Sequence, residues 1–160
     1  MTENFGSRSI LGLWTDIEER TRQPIEVKEG DFIVLYGIQG VGKTYNLNGF
    51  KRDYQEEACF LWGADYKQNY ASEVQHRIEV LKAVAQPYKV FLLDEPTHHL
   101  MDRKARVELL TAIRRIHDHG HTIVMATHDF AAMEMATRII EMFPDKSFIE
   151  HGPGLHRIFR

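Results

Sequence analysis

The sequence holds a single cysteine among its 160 residues, Cys59, which excludes an internal disulfide. A lone thiol within an apolar run reads as a small core residue of a chain kept in a reducing compartment. No stretch reaches the ~20 consecutive apolar residues of a membrane span. The opening Met1-Thr2-Glu3-Asn4-Phe5 lacks the charged-then-apolar order of a secretory signal. Charge of one sign is missing too: 20 Lys and Arg face 23 Asp and Glu, for a net charge of −3 and a pI near 6.3. That balance removes the bulk electrostatic footprint of a nucleic-acid or anionic-membrane binder and leaves room only for a local basic patch. Repeats, low-complexity tracts and linkers are absent as well. The expectation is one cytoplasmic domain over residues 1–160, long enough to bury a real core.

What is present is organised around Gly37-Ile38-Gln39-Gly40-Val41-Gly42-Lys43-Thr44. The pattern G-x-x-x-x-G-K-T follows the apolar run Phe32-Ile33-Val34-Leu35-Tyr36 and opens a helix, which is the P-loop and its context. Its glycines let successive amides turn inward as an anion nest, and the helix start adds unpaired N–H groups and a positive dipole end. The pattern predicts a nucleoside triphosphate site. Gly37, Ile38, Gln39, Gly40, Val41, Gly42, Lys43, Thr44 and Tyr45 are its expected contacts, with Lys43 on the β- and γ-phosphates and Thr44 on Mg²⁺.

Along the chain, residues 24–28 alternate like a half-buried strand, and Glu29-Gly30-Asp31 turns into a central strand at 32–36. A helix is expected to about residue 57, then buried strands at 58–62, 89–93 and 122–126. Helices are expected from Ser72 to the Gln86-Pro87 break, over 103–119 up to Gly120, and over 130–137. A strand at 138–143 turns through Pro144-Asp145-Lys146 into another at 147–150. Strands alternating with helices predict an α/β fold: a P-loop NTPase three-layer sandwich, with a mostly parallel sheet, helices on both faces and an antiparallel edge hairpin. On the 103–119 helix, Val107, Leu110, Ile113 and Ile116 are the expected core-facing set. Arg103, Lys104, Arg106, Arg114 and Arg115 then form a solvated basic face, where nucleic-acid contact is possible but not indicated by net charge. His117, His119 and His121 read as a solvated helix terminus rather than a metal set.

A second constellation is the buried run Val90-Phe91-Leu92-Leu93 ending in Asp94-Glu95. At the C-terminal edge of a parallel sheet these carboxylates face the crevice onto which the P-loop opens. Asp94 suits Mg²⁺, and Glu95 supplies what a hydrolase needs to orient and deprotonate water.

With the P-loop, the runs Asp94-Glu95-Pro96-Thr97 and Thr127-His128-Asp129 resemble the ATP-binding cassette (ABC) ATPases, over about residues 24–153. The resemblance implies Asp94 as magnesium ligand, Glu95 as general base and His128 as the contact to the γ-phosphate. Lys43, Glu95 and His128 are thus the catalytic set, Thr44 and Asp94 the metal set, and ATP and Mg²⁺ the ligands. It also implies coupling to a protein partner or a nucleotide-dependent homodimer. Asp102 matches either the loop aspartate that helps build the family's dimer interface or an ordinary helix N-cap.

The departures bear on partners. The family places a helical subdomain with a Leu-Ser-Gly-Gly-Gln signature before its Asp-Glu pair, yet only 51 positions separate Lys43 from Asp94. Ala71-Ser72-Glu73-Val74-Gln75 keeps the Ser and Gln without the glycines and reads as a capping box. Gln68 and Asp65 are rival matches for the family's glutamine loop, and Trp14 stacks on adenine or packs in the core. With so little helical region, docking of transmembrane subunits is not expected. Two other functions fit the P-loop: a small kinase whose acceptor binds at Asp65, or a regulatory module that binds nucleotide with little turnover.

Overall fold

The computed structural model describes residues 9–10, 25–38, 43, 47–50, 58–62, 90–97, 100, 102–145 and 148–152. Short apolar runs bounded by turns make the strands. β1 (Ser9–Ile10) and β2 (Ile25–Glu26) form an antiparallel pair of their own. The main sheet holds β3 (Phe32–Tyr36), β4 (Ala58–Trp62), β5 (Val90–Asp94), β6 (Thr122–Ala126), β7 (Arg138–Met142) and β8 (Phe148–His151). Their order is β4-β5-β6-β3-β7-β8, with every pair parallel except the β7–β8 edge hairpin.

Alternation along the strands divides the core in two, because successive side chains leave a strand on opposite faces. Phe32, Val34, Phe91, Leu93, Ile123, Met125 and Ile139 share one cluster with helices α1 (Arg103–Asp118) and α2 (Phe130–Met135). Ile33, Leu35, Val90, Leu92, Val124, Ala126 and Ile140 share the other with Leu47 and Phe50, which lie in the helical stretch after the P-loop. Helix, sheet and helix are therefore stacked as expected, with β3 in the middle of the sheet.

Three details beyond strand bounds differ from the sequence expectation. Val107 is 54% exposed, and the buried stripe of α1 is Ala105, Leu109, Leu110, Ile113 and Ile116. At roughly 100° per residue, Val107 falls on the far side of the helix from Ala105 and Leu109. The second helix ends at Met135 because Thr137 is bonded to the start of β3: the Thr137 hydroxyl accepts the Phe32 amide at 2.8 Å, and the Thr137 amide donates to Phe32 O at 2.9 Å. The histidines at the end of α1 are structural as well as wet. His117 Nε2 meets Gly30 O at 2.7 Å and its ring stands edge-on to Phe32, while His121 stands edge-on to Phe91. His119 caps its own helix through Arg115 O, and Gly120 follows at φ 95°, the left-handed conformation that stops a helix.

Candidate functional site: three strand ends on one edge

Register decides what meets at the C-terminal edge. Ala126 of β6 pairs with Leu35 of β3 on one side and with Asp94 of β5 on the other. Three parallel strands therefore end at one level, and the residues that follow them, from Gly37, Glu95 and Thr127 onward, emerge side by side. Two further bonds hold the exits in line: the Glu95 amide donates to Ala126 O at 2.8 Å, and the Thr127 amide donates to Leu35 O at 3.1 Å.

Lys43 is 7% exposed, and its ammonium donates to Gly37 O at 2.5 Å. It also lies 3.4 Å from His128 Nδ1 and 3.7 Å from Glu95 Oε1. His128 Nε2 is 3.3 Å from the same Glu95 oxygen. Facing an ammonium, Nδ1 is placed to accept, and facing a carboxylate, Nε2 is placed to donate. A cation, an imidazole and a carboxylate thus converge from three elements that are distant in sequence. His128 is half exposed and can be reached from solvent.

Glu95 adopts φ 49°, the sole positive φ at a non-glycine among the described residues. Such a conformation costs a side-chain-bearing residue on the order of 1–3 kcal/mol and persists where its surroundings over-determine it. Those surroundings are visible. Thr97, 7% exposed, donates its hydroxyl to Asp129 Oδ2 at 3.0 Å. The other Asp129 oxygen accepts the Ala131 amide at 3.0 Å as the N-cap of α2, and the Asp129 amide donates to Thr127 Oγ1 at 3.0 Å. Thr97 and Asp129 were given no role by the motif reading. Both residues stand in runs that the sequence singles out, Asp94-Glu95-Pro96-Thr97 and Thr127-His128-Asp129, and Asp129 directly precedes a helix, an N-cap position.

Of the expected site residues, Gly37, Lys43, Glu95 and His128 are brought together. Asp94 ends β5 with 9% exposure, at the same edge, and Ile38 is 67% exposed beside Gly37. Gln39, Gly40, Val41, Gly42, Thr44 and Tyr45 lie outside the described residues, as do Trp14, Asp65, Gln68 and the 71–75 run. Asp102 is the N-cap of α1, its carboxylate accepting the Lys104 amide at 3.2 Å. Among the described residues no cluster of three or more His, Cys, Asp or Glu forms a metal site, and no helix is long and apolar enough to cross a membrane.

Comparison with known proteins gives this geometry a family. Residues 33–150 match the model of the "ATPase family associated with various cellular activities (AAA)". A macrolide export ATP-binding/permease protein, MacB 1 of Aeromonas hydrophila, is 40% identical over 79 residues, 49% of this chain and 12% of the relative. An ABC transporter ATP-binding protein of Mycobacterium tuberculosis is 41% identical over 71 residues, 44% of this chain and 21% of the relative. The chain thus spans a small part of the curated relatives it matches. An ATP-binding cassette solved as a dimer in a post-hydrolysis state with ADP and Pi has a similar fold, with a TM-score of 0.64 at 13% identity over 90% of this chain and 97% of that one. Its likeness, like that of a Clostridium perfringens cassette from an ABC transporter complex (TM-score 0.61, 16% identity, 98% of this chain and 91% of that one), is one of fold. Since the family match runs through most of the sheet and all three strand ends, the chain belongs to the family of ATPases associated with various cellular activities (AAA).

Proposed function

We propose that the chain binds Mg-ATP and hydrolyses its β–γ linkage, with the nucleotide state altering an interface with a partner protein or a second copy. The observation that carries this reading is the convergence of Lys43, Glu95 and His128 at one sheet edge. In this reading Lys43 takes up charge on the β- and γ-phosphates, exchanging its Gly37, Glu95 and His128 contacts for phosphate oxygens. Glu95 accepts the proton of the attacking water as oxygen bonds to the γ-phosphorus and the bridging oxygen leaves with ADP. His128 donates Nε2–H toward the γ-phosphate and Glu95, holding the two in line. Such catalysis is positioning and charge stabilisation.

Asp94 and Thr44 are the residues that would hold magnesium. A nearly buried carboxylate at the strand edge and the hydroxyl of the G-x-x-x-x-G-K-T motif are the hard-oxygen donors that this ion prefers. The ion would supply charge neutralisation between the β- and γ-phosphates.

The paired Glu95 and His128 favour hydrolysis over a kinase, which has no need of a water-activating carboxylate. The partner is less constrained. The expectation against transport docking rests on residues 63–89, which lie outside the described residues, whereas the relatives named above are export and transporter proteins. Labelled ATP incubated with the chain and resolved by thin-layer chromatography tests the reaction. Free phosphate without any acceptor is expected. ATP bound yet intact at every protein concentration would instead mean a regulatory nucleotide-binding module. Sedimentation with and without a non-hydrolysable ATP analogue tests the interface.

A further inference from the structure

Two loops carry the groups that must face one another, the 95–97 turn after β5 and the 127–129 loop after β6. Besides the contact between Glu95 and His128, a side-chain hydrogen bond joins them, Thr97 Oγ1 to Asp129 Oδ2 at 3.0 Å across 32 positions of sequence. We propose that Thr97 and Asp129 are positioning residues that keep Glu95 in its left-handed conformation and opposed to His128. The inference rests on the hydrolase reading for its kinetic consequence, but not for its structural one.

Glu95 is clamped on both sides. Its own amide is tied to Ala126 O, and two residues later the Thr97 hydroxyl is tied to Asp129. Thr97 O also accepts the Leu100 amide at 3.0 Å, which fixes the far side of the turn. On the opposite loop, Asp129 is held by three groups at once: Thr97 and the Ala131 amide on its carboxylate, and Thr127 Oγ1 on its amide. His128 lies between Thr127 and Asp129, so its backbone is fixed at both neighbours. A half-exposed imidazole on an unbraced loop would sample many positions. Here the brace leaves its Nε2 facing Glu95. The acceptor is a carboxylate and the donor is buried, so the bond is charge-assisted and shielded from competing water.

Thr97→Val removes the hydroxyl at nearly constant shape. The expected result is a kcat lowered about ten- to a hundredfold, since small misplacements of reacting groups carry losses of that order. The Kd for a fluorescent ATP analogue should stay within about twofold of wild type, as Lys43 and the P-loop are untouched, and Thr97→Ser should restore kcat. Should Thr97→Val fold poorly, Asp129→Ser replaces it: Ser still caps α2 but is too short to reach Thr97 as well. Where both fold, the double variant should lose no more than either single one, because one bond is shared. A kcat left unchanged, or a Kd that rises as far as kcat falls with no rescue by Ser, overturns the inference. If the wild-type chain hydrolyses nothing, the hydrolase reading fails and hydrogen exchange decides instead. Faster exchange of the Glu95 amide in Thr97→Val, with β3 amides unchanged, upholds the brace; unchanged exchange at Glu95 overturns it.

Discussion

His128 Nε2 stands 3.3 Å from Glu95 Oε1, an imidazole and a carboxylate brought together by the register of β6 against β5. In the proposed mechanism this pairing orients Glu95 toward the attacking water. Glu95→Gln keeps the shape and removes the carboxylate that the proposed mechanism uses as its base. ATP hydrolysis should fall by about 10²–10⁴-fold, the usual share of general-base catalysis, while ATP binding persists. Phosphate release and equilibrium binding measured on the same sample check this. Undiminished turnover in Glu95→Gln would remove Glu95 from the base role.

Because the same Glu95 oxygen faces both His128 and Lys43, the losses on mutation should not add. His128→Ala is expected to lower turnover strongly, and Glu95→Gln with His128→Ala together should be scarcely worse than the poorer single variant. Losses that multiply would mean that the two side chains act independently. The cycle is read from kcat at saturating ATP.

Much of the sheet was legible from residues alone. Ala58–Trp62 and Thr122–Ala126 match their expected bounds because each is a five-residue apolar run with a turn or glycine beside it. β5 instead runs from Val90 through Asp94, a residue type that strands disfavour. Its pairing with Ala126 and Trp62 sets the boundary, and such pairing is not encoded locally. Val107 misled for a related reason: it has the right spacing to Leu110 but lies on the wrong arc of the helix. The P-loop, the paired acids and the strand-end histidine were each recognisable as motifs. That Glu95 takes a left-handed φ, and that Thr97 reaches Asp129, depends on two loops meeting in space, and no periodicity records it.

At the opposite end of the sheet, Arg138 ties three elements together. Its Nη1 donates to Asp31 Oδ2 at 2.8 Å, and its Nε donates to Glu150 Oε1 at 3.1 Å. Burial works against its charge, yet the bonds to Glu150 and Asp31 hold its pKa above the ordinary value. Arg138→Ala should destabilise the fold by about 1–3 kcal/mol, mostly through Asp31, since Glu150 is 47% exposed and its share is screened. Arg138→Lys should not restore it, as a point charge cannot serve two carboxylates in fork geometry. Urea unfolding reads the change, and kcat should be unaffected. A loss of activity without loss of stability would contradict a purely structural role.

Cys59 carries the one pH dependence with a defined window. Burial pushes its thiol from 9.0 up to about 11. The folded state thus prefers the protonated thiol, and its contribution to stability is fully present below about pH 9. As pH climbs from 9 towards 11, the unfolded chain ionises first and that contribution is lost. Cys59→Ala has no such titration, while every other group that ionises in this range is common to both proteins. The stability gap between wild type and Cys59→Ala should therefore narrow across this window in urea titrations at pH 8, 9.5 and 10.5. Alkylation gives an independent reading: at pH 8 a thiolate reagent should modify the native chain far more slowly than the urea-unfolded one, because thiolate character controls the rate. A gap that stays constant or widens, or native alkylation as fast as unfolded, would show that water reaches Cys59 and that the β4 side of the core is open to solvent.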